Sequence, residues 1–156
     1  MNEDNVVSNS SPLIALDQIG RLAVLSQLFD EVTVPPAVVR ETNPLLILPP
    51  WVIEQPLTQP IGAQVLAASL GAGEREAICL AIESSADWII LDDRPARRLA
   101  ASLDLPMVGT LGILLAAKRR GLLAEIRPCL DELIRHDFFM TRNLYEQVLT
   151  QAGESP

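Results

Sequence analysis

The feature that most constrains the fold is an alternation of short apolar runs with segments of helical periodicity. The run at residues 88–91 is apolar throughout and ends at Asp92 and Asp93. A strand that is buried on both faces has this composition, which is typical of the centre of a parallel sheet. Shorter runs of strand character lie at residues 6–7, 31–34 and 107–108. The alternation predicts an α/β fold in which a parallel sheet of four or five strands lies between helices.

Helical patterns occupy the segments between these runs. Ser11 and Pro12 place a capping hydroxyl and a proline at a helix start. The triplet 71–73, with two glycines, is expected to separate a helix over residues 61–70 from one over 74–84. The proline-rich segment 43–60 contains a candidate edge strand at 51–53. Further helices are predicted for residues 13–19 and 21–29, for a brief segment after Pro36 that carries Val38, Val39 and Glu41, after Pro95, from Gly109 to about Arg120, and for 127–135 and 142–151.

Length and composition indicate a single domain over residues 1–156. The chain is 49% hydrophobic, which is enough to form a core and excludes intrinsic disorder. Its two cysteines, Cys79 and Cys129, cannot make a disulfide framework and suit a reducing compartment. The acidic start lacks the pattern of a signal peptide, and no apolar run reaches the roughly 20 residues of a membrane span. We therefore expect a soluble cytoplasmic protein without membrane contact.

The charge balance limits the ways in which the chain can bind nucleic acid. Twelve Lys and Arg residues against 20 Asp and Glu residues give a formal charge of −8. This argues against binding through a generally basic surface, but not against an enzyme that meets phosphate through a bound cation. The basic residues form two clusters, Arg94 with Arg97 and Arg98, and residues 118–120. They are either local patches that grip a phosphate backbone or ordinary solvated helix ends.

Polar residues follow three of the predicted strands at the point where each strand ends. Asn9, Ser10 and Ser11 follow the first strand, Asp92 and Asp93 follow the apolar run, and Thr110 follows the last strand. Ligands of parallel α/β sheets bind at this edge. If the strands are neighbours, two acids, an amide and several hydroxyls converge there. That combination suits a hard divalent cation such as Mg²⁺ or Mn²⁺.

Two helices supply further acids. Glu74 is in register with Ala77, Ile78 and Ala81, so its carboxylate lies on an apolar stripe, where it needs a partner or a metal. Glu76 falls off that stripe and is the weaker candidate, and Glu41 lies three residues past Val38 on a short helix. Simpler interpretations remain open for each acid. Asp93 could cap the helix that Pro95 opens or pair with Arg97, and Glu74 could favour the dipole of its own helix.

Other chemistries fit poorly. His136 is the only histidine and is expected at the surface, which makes a His-rich zinc site improbable. Cys79 lies beside the apolar face of its helix and is expected in the core. The glycines of the 71–73 triplet lack the Lys-Ser/Thr of a phosphate-binding loop, so they are interpreted as a helix break.

Six segments, in order through nearly the whole chain, resemble the PIN-domain superfamily and its PIN-like bacterial and archaeal branch. They are VVSNSSPLIALDQIGRL, VPPAVVRE, LGAGEREAICLA, IILDDRPARRLA, GTLGILLAAKRRGLL and LYEQVLTQAGE. The resemblance implies a three-layer α/β/α sandwich and a ribonuclease that depends on Mg²⁺ or Mn²⁺. Many such relatives are toxins of toxin–antitoxin pairs that a small partner protein neutralises, and homodimers are common among them.

Residue by residue, the central acids of the family fall on Glu41, Glu74 and Asp93, with Asp92 adjacent. The small hydroxyl of the family falls on Ser10 or Ser11, and the position of its first acid holds Asn9. The resemblance implies that Glu74 and Asp93 hold the cation with help from Asn9 and Asp92, while Glu41 orients or deprotonates the attacking water. The resulting hypothesis is a metal-dependent endoribonuclease of the toxin type. The alternative is a PIN-like module that binds RNA or protein without catalysis, which Asn9 favours.

Overall fold

The computed structural model describes residues 3–59 and 69–156. The helix predicted over 61–70 therefore lies outside the described residues except for its last two positions. The strands are β1 (Val6–Ser8), β2 (Val32–Val34), β3 (Val52–Glu54), β4 (Trp88–Ile90) and β5 (Met107–Val108). The helices in the described ranges are α1 (Ser10–Gln18), α2 (Val24–Phe29), α3 (Pro36–Thr42), α4 (Ala72–Glu83), α5 (Arg94–Ser102), α6 (Thr110–Arg119), α7 (Arg127–Arg135) and α8 (Arg142–Gln151).

All five strands are parallel and form one sheet in the order β3-β2-β1-β4-β5. The predicted parallel sheet and its edge strand near residues 51–53 are thus confirmed. β1 pairs with β4 so that Ser8 lies opposite Ile90. The chain leaves β1 toward one side of the sheet and reaches β4 only after building the β2-β3 side. The carboxyl ends of β1 and β4 therefore form a topological switch point, where open α/β sheets bind their ligands.

The side chains of the central strands divide between two cores. Val7, Ile89 and Leu91 pack with α4 and α5, whereas Val6 and Ile90 belong to the core formed with α1, α2, α6, α7 and α8. This division follows from the two-residue period of a strand, which directs successive side chains to opposite faces. Apolar residues on both faces leave no side of the sheet for solvent, which confirms the three-layer α/β/α sandwich.

Two helix starts differ from the sequence prediction. α4 begins at Ala72 with Gly71 as its N-cap, two residues before the predicted start at Glu74, so Gly73 lies in its first turn. α1 begins at Ser10 with Asn9 at the N-cap, so the predicted cap by Ser11 is wrong. Ser11 lies inside the first turn and is exposed. Both starts lie earlier than predicted, and no side-chain hydrogen bond caps either of them.

The end of the chain is tied to the start of α7. The Glu154 carboxylate accepts hydrogen bonds from the backbone N–H groups of Ile126 at 2.8 Å and Arg127 at 3.2 Å, and from Lys118 Nζ at 2.9 Å. These N–H groups belong to the first turn of a helix, where no partner exists within the helix itself. Burial alone would raise the pKa of Glu154, but these donors outweigh it and lower the pKa from its ordinary value.

None of the helices between residues 3 and 59 or between 69 and 156 is both long and apolar enough to cross a membrane.

Candidate metal centre and active site

The predicted site residues that follow β1 and β4 meet at the switch point. The backbone N–H of Asn9 donates to Ile90 O at 3.0 Å, which extends the β1-β4 pairing by one residue beyond Ser8. Asn9 and Leu91 are therefore neighbours, and Asp92 and Asp93 follow directly. The parallel register thus places the amide of the first strand end beside the two acids of the second.

Glu41 is fixed by two other elements. Ser10 Oγ donates to Glu41 Oε1 at 2.5 Å, and the backbone N–H of Gly73 donates to Oε2 at 3.1 Å. A Cβ at Gly73 would overlap the Glu41 carboxylate, so only glycine permits this approach. Each Glu41 oxygen keeps a further lone pair beyond these bonds. Glu41 is thus oriented from both α1 and α4 while it can still accept a proton.

Glu74 and Asp93 are in direct contact. Burial raises the pKa of Glu74, and both a hydrogen bond to the Asp93 carboxyl and the Asp93 charge raise it further. The Gly71 N–H opposes this shift, and the Glu41 charge adds to it. Asp93 also caps α5, because its Oδ2 accepts the N–H of Ala96 at 3.1 Å. The Asp93 carboxylate therefore caps α5 and contacts Glu74 at the same time, because its two oxygens can bond to different partners.

Asp92 lies on the other side of the strand end and is held by α6. Its Oδ1 accepts the Thr110 N–H at 2.8 Å, and its Oδ2 accepts the Thr110 hydroxyl at 2.5 Å. Burial raises the pKa of Asp92, although the Thr110 bonds and the Arg97 charge oppose the rise. Arg97 itself donates to Leu91 O at 2.7 Å. Asp92 thus joins β4 to the start of α6, and its carboxylate is more constrained than that of Asp93.

Asn9 has a buried oxygen without a partner. The residue is only 3% exposed, and its Oδ1 is the one buried side-chain oxygen or nitrogen in the described part of the chain that accepts or donates no hydrogen bond. A buried carbonyl oxygen left unsatisfied is unfavourable by roughly 1–3 kcal/mol. Such groups are rare in native proteins and call for a ligand, an ion or a functional explanation.

The structure brings together the predicted carboxylates and leaves Glu76 aside. Glu74 interacts with both Asp93 and Glu41, and Asp92 directly precedes Asp93 in the chain. Glu76 Oε1 instead accepts the Ala37 N–H at 2.9 Å, so it caps the start of α3. His136 is exposed and Cys79 is buried, as expected, and Cys129 is buried as well. The supporting roles of Gly73 and Thr110 were not predicted, because neither shows a local sequence pattern that identifies its partner.

The oxygen atoms of this site are of the kind that bind a hard divalent cation. No three His, Cys, Asp or Glu side chains within residues 3–59 and 69–156 form a ready-made metal site. Two carboxyls in contact, a third carboxylate beside them and an unpartnered amide oxygen are nevertheless the oxygen ligands that Mg²⁺ and Mn²⁺ prefer. These oxygens therefore fit such a cation by their chemistry, since a positive charge would offset the repulsion between the acids.

The comparison with known protein families agrees with the fold. A family model described as a PIN domain matches residues 5–154, which is nearly the whole chain. No curated protein matches the chain significantly. Because the match spans every strand and helix described above, this chain belongs to the PIN domain family.

Proposed function

We propose that the protein is a metal-dependent endoribonuclease that uses Mg²⁺ or Mn²⁺. The observation that carries the proposal is the contact between the Glu74 and Asp93 carboxyls, with Glu41 close enough to raise the pKa of Glu74 as well. Acids packed in this way need a proton or a cation between them, because their negative charges repel. Membership of the PIN family, a nuclease-type fold, supports RNA as the substrate.

Each site residue has a distinct part in the proposed reaction. Glu74 and Asp93 would hold the cation, with Asn9 Oδ1 and Asp92 assisting directly or through water. The bound cation would lower the pKa of a water molecule and stabilise the charge that develops on the phosphate. Hydrolysis also requires a proton to leave the attacking water as the P–O bond breaks. Glu41 is the acceptor that we propose, because Ser10 and Gly73 hold its carboxylate in one orientation.

A cleavage assay on a mixed RNA pool, with and without Mn²⁺ or Mg²⁺, tests the proposal. We expect metal-dependent cleavage that falls by about 100-fold or more in Asp93→Asn and Glu74→Gln, the range for loss of a positioned acid–base or ligand group. Asparagine is as good an N-cap as aspartate, so Asp93→Asn keeps the start of α5. Glu125→Gln removes one exposed carboxylate elsewhere and is the matched control. Cleavage that persists in Asp93→Asn would point to a contaminant or a different site.

The second candidate function is a PIN-like module that binds RNA or protein without catalysis. The observation in its favour is Asn9, which brings no negative charge to the position where the resemblance places the first acid. A missing charge weakens the hold on a divalent cation. Two null results together would support this alternative: no RNA cleavage at any metal concentration, and no thermal shift on addition of excess Mn²⁺.

We further propose that the protein acts in the cytoplasm as the toxin of a toxin–antitoxin pair and forms a homodimer. Family membership supports these points. Induced expression should arrest growth, whereas expression of Asp93→Asn should not. Co-expression of a small protein encoded beside the gene should restore growth. Sedimentation of the purified chain would test the dimer, and growth unaffected by wild-type expression would contradict the toxin role.

A further inference from the structure

One groove is lined both by acids of the candidate site and by α8. Its volume is about 1300 Å³, and Asp92 and Asp93 line it together with residues of α8. Pockets for small molecules measure roughly 300–1,000 Å³. The groove is larger than that range, so it has room for a chain of several linked units.

One wall of the groove is a row of carboxamides. Asn143, Gln147 and Gln151 are spaced four residues apart on α8, so they lie on one face of the helix, and all three line the groove. All three are exposed, and their side chains make no hydrogen bond or ion pair with any other described residue. A carboxamide offers two donors and one acceptor oxygen without net charge. This wall can therefore bond to polar groups of either kind.

An exposed aromatic ring lies beside this row. Phe139, on the connection between α7 and α8, is 77% exposed and lines the groove. Its neighbour Phe138 is half-buried and packs against the core, which anchors the connection. Aromatic side chains in nucleic-acid grooves serve as platforms on which single bases stack. Phe139 has the exposure and the position that such a platform requires.

The opposite side of the groove offers one unpaired cation. Arg94, the first residue of α5, is exposed and forms no ion pair with the residues described by the structure. It is adjacent to Asp93, whereas Asp137 lies on the α7–α8 side. A phosphate backbone is therefore favoured along the Arg94 side. With a net charge of −8, the protein cannot rely on general electrostatic attraction, so stacking and amide hydrogen bonds must supply much of the affinity.

We infer that this groove binds the stretch of single-stranded RNA that adjoins the cleaved phosphodiester. Phe139 stacks on a base, the carboxamides of α8 bond to base edges and 2′-hydroxyls, and Arg94 contacts a phosphate. The strand must be single because bases in a duplex are not free to stack on a protein ring. The choice of RNA rests on the proposed function. In this inference Phe139, Gln147 and Arg94 are positioning residues, since none of them touches the reacting atoms.

Fluorescence anisotropy with a labelled, unstructured single-stranded RNA tests the inference separately from cleavage. Titrations of the full chain are run in EDTA and in Ca²⁺. Phe139→Ala should raise the Kd for the RNA by about 10-fold, within the range for loss of one stacked base, and Phe139→Trp should restore binding. Gln147→Ala should raise the Kd by a few-fold, about the effect of losing one hydrogen bond. Arg94→Ala should reduce the slope of log K against log salt by about 0.7, the value for one phosphate contact on a single strand.

Matched controls come from residues that do not line the groove. Ile47→Ala removes a 95% exposed apolar side chain, Arg98→Ala removes an exposed arginine from the same helix as Arg94, and Gln27→Ala removes an exposed helical amide. All three should bind the RNA as the wild type does. Because the groove residues are exposed, their variants should unfold at the wild-type urea concentration, which verifies that any loss is local.

The outcomes separate this inference from the proposed function. If Phe139→Ala and Gln147→Ala bound the RNA with the wild-type Kd, the inference that this groove binds RNA would be overturned, even if the protein cleaves RNA. No RNA binding by the wild type in either buffer would overturn it too, as would equal affinity for single-stranded DNA of the same sequence. Conversely, RNA binding that depends on the groove residues but is not followed by cleavage would support RNA binding by the groove and contradict the proposed nuclease function.

Discussion

The hydroxyl of Ser10 lies 2.5 Å from Glu41 Oε1 and donates a hydrogen bond to it, which connects the start of α1 to the end of α3. The second oxygen of the same carboxylate accepts the Gly73 N–H at the start of α4. Three segments that are distant in sequence thus meet at one side chain. The orientation of Glu41 therefore depends on residues that have no chemistry of their own in the proposed reaction.

Removal of the Ser10 hydroxyl should loosen Glu41. Ser10→Ala leaves Glu41 Oε1 with one donor fewer at a site where Ser10 is 6% exposed, so we expect a loss of about 1 kcal/mol in the free energy of unfolding. Ser11→Ala is the matched control, because the Ser11 side chain is exposed and bonds to no other described residue. It should stay within about 0.5 kcal/mol of the wild type. Urea denaturation measures both, and equal losses in the two variants would contradict a specific Ser10–Glu41 interaction.

Any side chain at Gly73 should collide with Glu41. The Cβ of Gly73→Ala would overlap the carboxylate, which must then move away at the end of its flexible side chain, so the variant should lose the hydrogen bonds to Glu41, about 1 kcal/mol, although alanine is otherwise the better helix former. Glu41→Ala in the same chain should relieve the overlap. The double-mutant cycle should therefore be non-additive, with the double variant more stable than the sum of the single losses predicts. Additive losses would mean that the two residues do not interact.

The sequence was sufficient to predict the architecture and most of the site. An apolar run such as 88–91 is characteristic of a central parallel strand, and the acids directly after it were expected at the ligand-binding edge. The position of Asn9 beside them requires the first strand to pair with this one, which the sequence alone left as a condition and the register now shows. The roles of Glu41, Glu74 and Asp93 in metal binding and catalysis stay predictions.

What the sequence could not predict are contacts between segments that are distant along the chain. Gly73 was interpreted as part of a helix break, since a glycine pair is a local sign of one. In the folded chain Gly73 lies in the first turn of α4, and the carboxylate of Glu41, 32 residues earlier, occupies the space that a side chain at Gly73 would need. The bond from Thr110 to Asp92 likewise depends on β5 lying next to β4. No periodicity or capping rule encodes such neighbours.

The tie at Glu154 should make the stability of the C-terminal region depend on pH. The pKa of this carboxyl is lower in the folded chain than its ordinary value of 4.5. Its stabilising effect is therefore present above that ordinary value and is lost as pH falls through the lower, folded-state pKa. Glu154→Gln should lose about 1–3 kcal/mol at pH 7, because buried N–H donors at the start of α7 lose a charged acceptor. Glu154→Gln should also make the free energy of unfolding depend less on pH at acidic pH. The control Glu125→Gln, at an exposed position, should change neither the stability at pH 7 nor this dependence.

Glu74 should have the opposite pH dependence. Its pKa is raised in the metal-free protein, so the folded chain keeps the proton to a higher pH than the unfolded chain does. The stability contributed by the protonated form is present below the ordinary pKa and is lost as pH rises through the raised one. Metal-free Glu74→Gln should consequently be at least as stable as the wild type at pH 7. A variant clearly less stable than the wild type at that pH would contradict the repulsion that we infer.

The same variant should lose the response to metal. At Mn²⁺ concentrations about 100 times Kd, a ligand that binds only the folded state stabilises it by about 2.7 kcal/mol. The wild type should gain stability in this way, while Glu74→Gln should gain little at the same concentration. Thermal denaturation with and without Mn²⁺ measures the gain. A full response in Glu74→Gln would remove this residue from the set of proposed ligands.

Restoration of a carboxylate at position 9 should strengthen the site. Asn9→Asp places a negative charge on a residue that is 3% exposed and whose amide oxygen has no hydrogen-bond partner in the described part of the chain. A charge within reach of a divalent cation strengthens its hold, so Mn²⁺ should bind more tightly by calorimetric titration and RNA cleavage should rise. Without metal, the same charge should lower the free energy of unfolding, because it adds a further buried acid near Asp93 and Glu74. Asn9→Leu, which removes the oxygen without adding charge, should weaken the binding of Mn²⁺ and is the matched control.

If Asn9→Asp left the affinity for Mn²⁺ unchanged, Asn9 would not face the cation and the proposed ligand set would be wrong. If the affinity rose without any RNA cleavage, the cleft would be a metal site without nuclease function.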